Sequence, residues 1–226
     1  MRALRVSLLG LVLLGLLLMP GCKSDNDNGG YRIAEYYPLG QGDTWTYRNS
    51  EGSRQDTVAG TETIDGVQAV KVQRDDGSYI LVTNTNGITQ YKEYQQENGG
   101  WEQMVYSPPL SISSSEMSVG DRHTFRSTMT YSDSGGFTDT ATVSGETTLE
   151  GFEDVTVPAG TFSQCLKLKT TLTFTFPEGS FTIEVTVFLA KGVGEVKNID
   201  QSTDDGVVVT ETTELLSATV GGVSYP

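Results

Sequence analysis

The sequence predicts an all-β domain: antiparallel strands in a curved sheet, an open barrel or a sandwich, built from two related halves. Three observations carry that prediction. Apolar and polar residues alternate with a period of two over long runs, turn pairs recur at short intervals, and three short segments repeat in the same order. Sustained helical periodicity is missing. A parallel sheet needs crossover helices, so the strands are expected to run antiparallel.

The alternation is clearest in the second half. Leu166, Leu168, Thr170, Leu172, Phe174 and Phe176 share one face, and Lys167, Lys169, Thr171, Thr173 and Thr175 the other. Phe181, Ile183, Val185, Val187 and Leu189 continue the pattern beyond Pro177-Glu-Gly-Ser180. A turn between two such runs predicts a long antiparallel hairpin. Asp65-Gly66, Asp76-Gly77, Asn86-Gly87, Gly135-Gly136 and Asp205-Gly206 mark further turns.

The repeat comes next. Gly42-Asp-Thr-Trp-Thr-Tyr-Arg48 returns as Gly120-Asp-Arg-His-Thr-Phe-Arg126, Val70-Lys71-Val72 as Leu166-Lys167-Leu168, and Gly87-Ile-Thr-Gln-Tyr-Lys92 as Gly192-Val-Gly-Glu-Val-Lys197. A first β unit over 36–106 and a second over 119–226 follow. Residues 107–118 hold Pro108, Pro109 and a serine run, and read as a linker or crossing strand. In the repeat, Trp45 and Tyr47 stand on one side of a strand, with His123 and Phe125 their counterparts. Trp45, Tyr47, Phe125, Phe174 and Phe176 are therefore the inward aromatics, as core anchors or facing a ligand.

The N-terminus is an address. Residues 1–21 hold a basic start with Arg2 and Arg5, an apolar run, and a small residue, Gly21, before Cys22. The run is too short for a bilayer, which takes about 20 apolar residues. Leu18-Met-Pro-Gly-Cys22 resembles the lipobox of bacterial lipoproteins. That resemblance implies cleavage before Cys22, lipid on its sulfur, and attachment to a membrane. Residues 22–35 then form a tether rich in Asp, Asn and Gly. Lys23 beside the lipidated cysteine resembles the enteric sorting signal for the outer membrane, so a periplasmic or surface position on that membrane is expected.

Composition narrows the function. The chain of 226 residues carries a net charge of −14, and removing Arg2 and Arg5 with the signal leaves −16. Such a surface repels nucleic acid and anionic headgroups. With Cys22 taken by lipid, Cys165 has no partner for a disulfide, and one histidine with one thiol cannot build an ordinary zinc site. Neither metal nor cofactor is expected. Cys165 should face the Lys167 side of its strand unless a bulge intervenes, and His123 should be a half-buried strand residue. The acids gather at turns such as Asp75-Asp76 and Asp204-Asp205, where solvated carboxylates belong. No Gly-x-Ser-x-Gly elbow accompanies the serines. The sequence thus predicts no enzyme.

Tyr37-Pro-Leu-x-x-Gly-x-x-Trp45, Val157-Pro-Ala-Gly-Thr-Phe162 and Ala190-Lys-Gly-Val-Gly-Glu-Val-Lys197 together resemble a family of uncharacterised bacterial envelope lipoproteins. The resemblance implies an all-β envelope domain and no activity. At fold level the sheet is also similar to the half-barrels of periplasmic lipoprotein carriers. Two functions stay open. One is a non-catalytic interaction or structural module meeting envelope protein or polysaccharide, with an exposed patch around Tyr91, Tyr94 and Trp101. The other is a carrier or sensor of an amphiphilic small molecule on a concave sheet face.

Overall fold

The computed structural model describes residues 30–97, 99–204 and 207–226. Residues 1–29, with Cys22, lie outside the described residues. The strands are β1 (Tyr31–Arg32), β2 (Thr44–Asn49), β3 (Gly52–Ile64), β4 (Val67–Arg74), β5 (Tyr79–Thr83), β6 (Thr89–Glu97), β7 (Gly100–Ser111) and β8 (Glu116–Met117) in the first part. They continue as β9 (Arg122–Asp133), β10 (Thr138–Val157), β11 (Gly160–Phe176), β12 (Gly179–Ala190), β13 (Gly194–Asp204), β14 (Val207–Val220) and β15 (Val223–Tyr225). The predicted hairpin is β11–β12, with Leu166 opposite Leu189 and Phe176 opposite Gly179.

Twelve antiparallel strands close a barrel. The sheet expected as curved, open or sandwiched shuts because β14 pairs on both sides: Lys197–Asp204 of β13 run against Val207–Glu214, and Thr44–Arg48 of β2 against Glu214–Thr219. Closure removes the free strand edges that invite aggregation. β15 folds back on β14, and β1 pairs with β8 as a separate ribbon.

The two halves are visible in the geometry. β2–β7 form one run of six neighbours and β9–β14 the other. The three repeated segments fall on the first, third and fifth strands of each run. Their backbone contacts repeat too. Gly42 N donates to Val58 O at 3.0 Å and Val58 N to Asp43 O at 2.9 Å; Gly120 N donates to Leu149 O at 2.8 Å and Leu149 N to Asp121 O at 3.1 Å. Asp43 Oδ2 accepts from Gly40 N, and Asp121 Oδ2 from Ser118 N. A register shift follows in both, at Val58/Gly60 and Leu149/Gly151. A second shift skips Tyr91 in β6 and Val196 in β13. The alignment therefore fixes equivalent positions: Trp45 with His123, Asp56 with Thr147, Lys71 with Lys167, Arg74 with Thr170, Gln90 with Glu195, Lys92 with Lys197.

Residues 107–111 finish β7, and Pro108 and Pro109 lie where its pairing with β6 jumps from Val105 to Leu110. A proline cannot donate to a ladder, so an unpaired bulge suits both. The tether expected over 22–35 is shorter than drawn. Tyr31–Arg32 are strand, and Ile33, at the start of a 3₁₀ turn, is fully buried with its N–H on Ser115 O at 2.9 Å. With Tyr36 and Tyr37, also buried, it covers the barrel end that carries the 112–121 and 191–193 turns; Gly192 N donates to Glu35 O there.

Cys165 is fully buried, and its thiol donates to Phe162 O at 3.4 Å. It stays on the Lys167 side of β11, because Cys165, Leu166 and Lys167 pair in unbroken succession with Glu153, Phe152 and Gly151. A bulge precedes it, where Gln164 has φ of 56° and the register with β10 shifts between Glu153 and Val155.

Candidate functional site

Trp45, Tyr47, Phe125 and Phe174 are buried, and Phe176 is half-buried. Phe174 stacks on Phe181 with centroids 4.9 Å apart, and Phe176 does so at 6.1 Å. These rings pack as core, each burying a large apolar area. His123 is half-buried beside Phe125, and its Nε2 sits 3.2 Å from Ser111 Oγ and 3.0 Å from Ser111 O. Burial pushes the Cys165 thiol up to about 12, which keeps it protonated and inert.

The interior is not uniformly apolar. Period two puts Arg54 and Asp56 on the inner face of β3, across from Tyr47 and Trp45 of β2 and beside Arg74 of β4. Asp56 is wholly buried. Its Oδ2 is 3.5 Å from Arg54 Nε, and its Oδ1 is 3.7 Å from Arg74 Nε, an ion-pair distance too long for a hydrogen bond. The Arg54 guanidinium also lies over the Tyr47 ring, 5.3 Å from its centroid. On β6, Glu93 is buried and takes amide N–H groups from Gln95 at 2.9 Å and Gln90 at 3.5 Å. On β13, Glu195 and Asn198 are buried, and Asn198 donates to Asp200 at 3.2 Å. The Tyr47 hydroxyl reaches the Glu195 carbonyl at 3.4 Å.

These groups share one field. Burial raises the Asp56 and Glu93 carboxyls, while the fields of Arg54 and Arg74 pull both back down. Burial raises Glu195 well above the carboxylate range, again against the pull of Arg54 and Arg74. Asp200 is raised to about 7, by burial first and then by the Glu211 charge. A carboxyl raised on folding gives its stability when protonated, so Asp200 weakens the fold as pH climbs from about 4 through 7. Six buried atoms of this set have no hydrogen-bond partner: Arg54 Nη2, Asp56 Oδ1, Arg74 Nη2, both Glu195 oxygens and Asn198 Oδ1. Native interiors leave few such atoms, and among the described residues most of them gather in this cluster.

The second half lacks this chemistry. At the positions of Asp56 and Arg74 stand Thr147 and Thr170, whose hydroxyls bond each other at 2.8 Å. Gly145 replaces Arg54 and lies under the Phe125 ring. The expectation that acids gather at turns missed Asp56, Glu93 and Glu195. Alternation of Arg54, Asp56 and Val58 was the signal that could have found the first; nothing local marks Glu195 as inward, because its bulge hides the period.

The outer face of the first half carries a second feature. Tyr79, Tyr94 and Trp101 stand on β5, β6 and β7 as a row of near-parallel rings, with centroids 4.9 and 6.3 Å apart. Lys71 Nζ caps the Tyr79 ring at 3.9 Å, and Lys92 Nζ lies 5.3 Å from Tyr79 and 5.7 Å from Tyr94. Beneath them Ala69, Leu81 and Tyr91 make a small apolar cluster, so Tyr91, expected in the exposed patch, is buried. The bulge after Gln90 turns it sideways. Lys71 and Lys92 have no ion pair among the described residues. Their equivalents do: Lys167 pairs with Glu150 and Glu153, and Lys197 with Glu214.

Three solved structures are similar at low identity. A protein with a provisional lipoprotein designation from Parabacteroides distasonis is 16% identical, with TM-score 0.46, over 81% of this chain and 98% of that one. The hypothetical lipoprotein YmcC of Escherichia coli is 14% identical, with TM-score 0.45, over 81% and 86%. An exported protein of YmcC-like fold from Bacteroides fragilis is 14% identical, with TM-score 0.46, over 80% and 97%. No curated protein matches the chain. One family does, over residues 69–213, a span that runs from β4 into β14 and takes in the outer row and most of the inner polar cluster. Since that span is well over half of the sequence, the chain belongs to the DUF3108-like family.

Proposed function

We propose that this chain is a lipid-anchored, non-catalytic interaction module of the bacterial cell envelope, held to the outer membrane through Cys22. Its contact surface is the lysine and aromatic row on β4–β7, and its partner there is anionic. The observation that carries this reading is the contrast between the halves. Two equivalent lysine positions are neutralised by carboxylates on the second half and, among the described residues, left without them on the first, in a chain whose net charge is −14. Fixed cations on a rigid aromatic floor suit recognition of negative groups, with rings giving contact area at little entropic cost. Closure of the barrel and burial of Trp45, Tyr47, Phe125 and Phe174 favour this over carriage of an amphiphile on an open concave face.

Non-catalysis rests on the fate of the reactive residues. Cys165 is a buried thiol, His123 is engaged with Ser111, and the perturbed carboxyls face the barrel interior. A photo-crosslinking amino acid placed at Tyr94 in the intact, membrane-anchored protein should capture a partner in cells. The same group at Thr173, on the outer side of β11, should capture none. Equal adducts from both positions, or none from Tyr94, would remove the outer row as the contact surface.

A further inference from the structure

The outer row of β4–β7 continues onto β3, and the residues beside its lysines narrow the chemistry of its anionic partner. Thr57, Gln73, Tyr79, Tyr94 and Gln103 stand directly opposite one another on β3–β7. Strands lie about 4.8 Å apart, so this row runs about 19 Å across the sheet. Lys71 and Lys92 hold the next outward positions on β4 and β6, both opposite Leu81. At the β3–β4 end, Gln55, Thr57, Gln73 and Asp75 line a pocket of about 190 Å³. Gln55 is exposed, and Thr57 and Gln73 are half-buried. None of these three side chains has a hydrogen-bond partner among the described residues. The other half fills the equivalent places with ion pairs. By the same alignment Gln55 corresponds to Glu146 and Gln73 to Lys169. Glu146 lies 3.1 Å from Arg122, and Lys169 lies 2.8 Å from Glu184. The first half thus presents uncharged donors and acceptors where the second is closed by salt bridges.

We propose that the row from the β3–β4 pocket to Trp101 binds an acidic polysaccharide laid across the strands, with its carboxylates on Lys71 and Lys92 and its sugar hydroxyls on Gln55, Thr57 and Gln73; this rests on the reading of the outer row as the contact surface. A side-chain amide both donates and accepts, as a sugar hydroxyl does, so the two pair reciprocally. Asp75 accepts hydroxyl protons and repels a second acid. The pocket therefore takes neutral groups while the lysines take the charge. Trp101, half-buried, ends the row and adds apolar contact for sugar C–H groups. An acidic protein fits less well. Each of β3–β7 is paired on both sides, so no strand edge is free for a peptide to join. The amides and hydroxyl of the pocket also have no charge to match against acidic side chains.

The intact protein in detergent is titrated calorimetrically with polygalacturonate, with hyaluronate and, as an acidic polypeptide, with poly-glutamate, at equal carboxylate concentration and ionic strength. The better of the two glycans should bind about tenfold more tightly than poly-glutamate. Gln55→Ala with Gln73→Ala should weaken glycan binding by about tenfold and leave poly-glutamate binding unchanged. Glu146→Ala with Lys169→Ala, at the equivalent positions, should leave glycan binding unchanged. Poly-glutamate binding as tight as the better glycan, no binding of either glycan, or glycan binding that ignores the two glutamine changes would overturn the polysaccharide and leave the outer row as an anionic contact of another kind. Loss of the Tyr94 crosslink in cells, by contrast, would remove the surface itself.

Discussion

Replacing Asp56 by alanine is expected to cost about 3–5 kcal/mol of folding stability, among the largest single effects in this barrel. Asp56 is the only carboxylate within ion-pair distance of both Arg54 and Arg74 among the described residues, and it is wholly buried. Its removal leaves two guanidiniums facing each other inside the wall with their nearest counter-ion gone. Arg74 is already pushed down by burial first and by the Arg54 charge second, and the Asp56 field is the largest that opposes them, ahead of Glu93 and Asp76. The equivalent change in the other half, Thr147→Ala, removes a neutral hydroxyl pair and should cost about 1 kcal/mol. Urea unfolding of both variants checks the difference. Equal losses would mean that the charged trio is not held out of water.

Gly145→Ala should be nearly as damaging, at about 3 kcal/mol, for a steric reason. A Cβ there would collide with Thr171 O and sit 2.5 Å from Phe125 Cζ. The oxygen belongs to the long β10–β11 ladder, so it cannot retreat without breaking pairing on both sides of Gly145. The ring is a core anchor with buried neighbours. Phe125→Leu in the Gly145→Ala background should recover only part of the loss, because the backbone contact persists. Gly66→Ala is the control: its φ is 78° with open space around it, and only the conformational penalty of about 1 kcal/mol applies. A Gly66→Ala protein that melts at or below the temperature of Gly145→Ala would contradict the close packing of β10 on the Phe125 ring.

Sequence periodicity made the strands, the β11–β12 hairpin and the two-half repeat legible, because each side chain's face follows from a period of two. The repeat was legible where glycine and aspartate shape the entry turn, as at Gly42-Asp43 and Gly120-Asp121. Closure was not, since it depends on β14 pairing with both β2 and β13, a long-range match that no local pattern states. Bulges account for most of the rest. Tyr91 and Glu195 lie at register shifts, where one extra residue reverses the face that alternation assigns. The outer row was read in part: Tyr94 and Trp101 belong to it, whereas Tyr79, Lys71 and Lys92 join only because three strands lie side by side.

The central claim is that Lys71 and Lys92, which have no ion pair among the described residues, form the contact surface, and charge reversal tests it most directly. Binding of residues 31–226 to envelope fractions of the host would be measured by co-sedimentation for the wild type and two double variants. Lys71→Glu with Lys92→Glu should weaken binding by about 10–30-fold, at about 1 kcal/mol per contact. Lys167→Glu with Lys197→Glu, the same charge change at the equivalent positions, should leave it within about twofold. Equal losses in the two variants, or none in the first, would contradict the account.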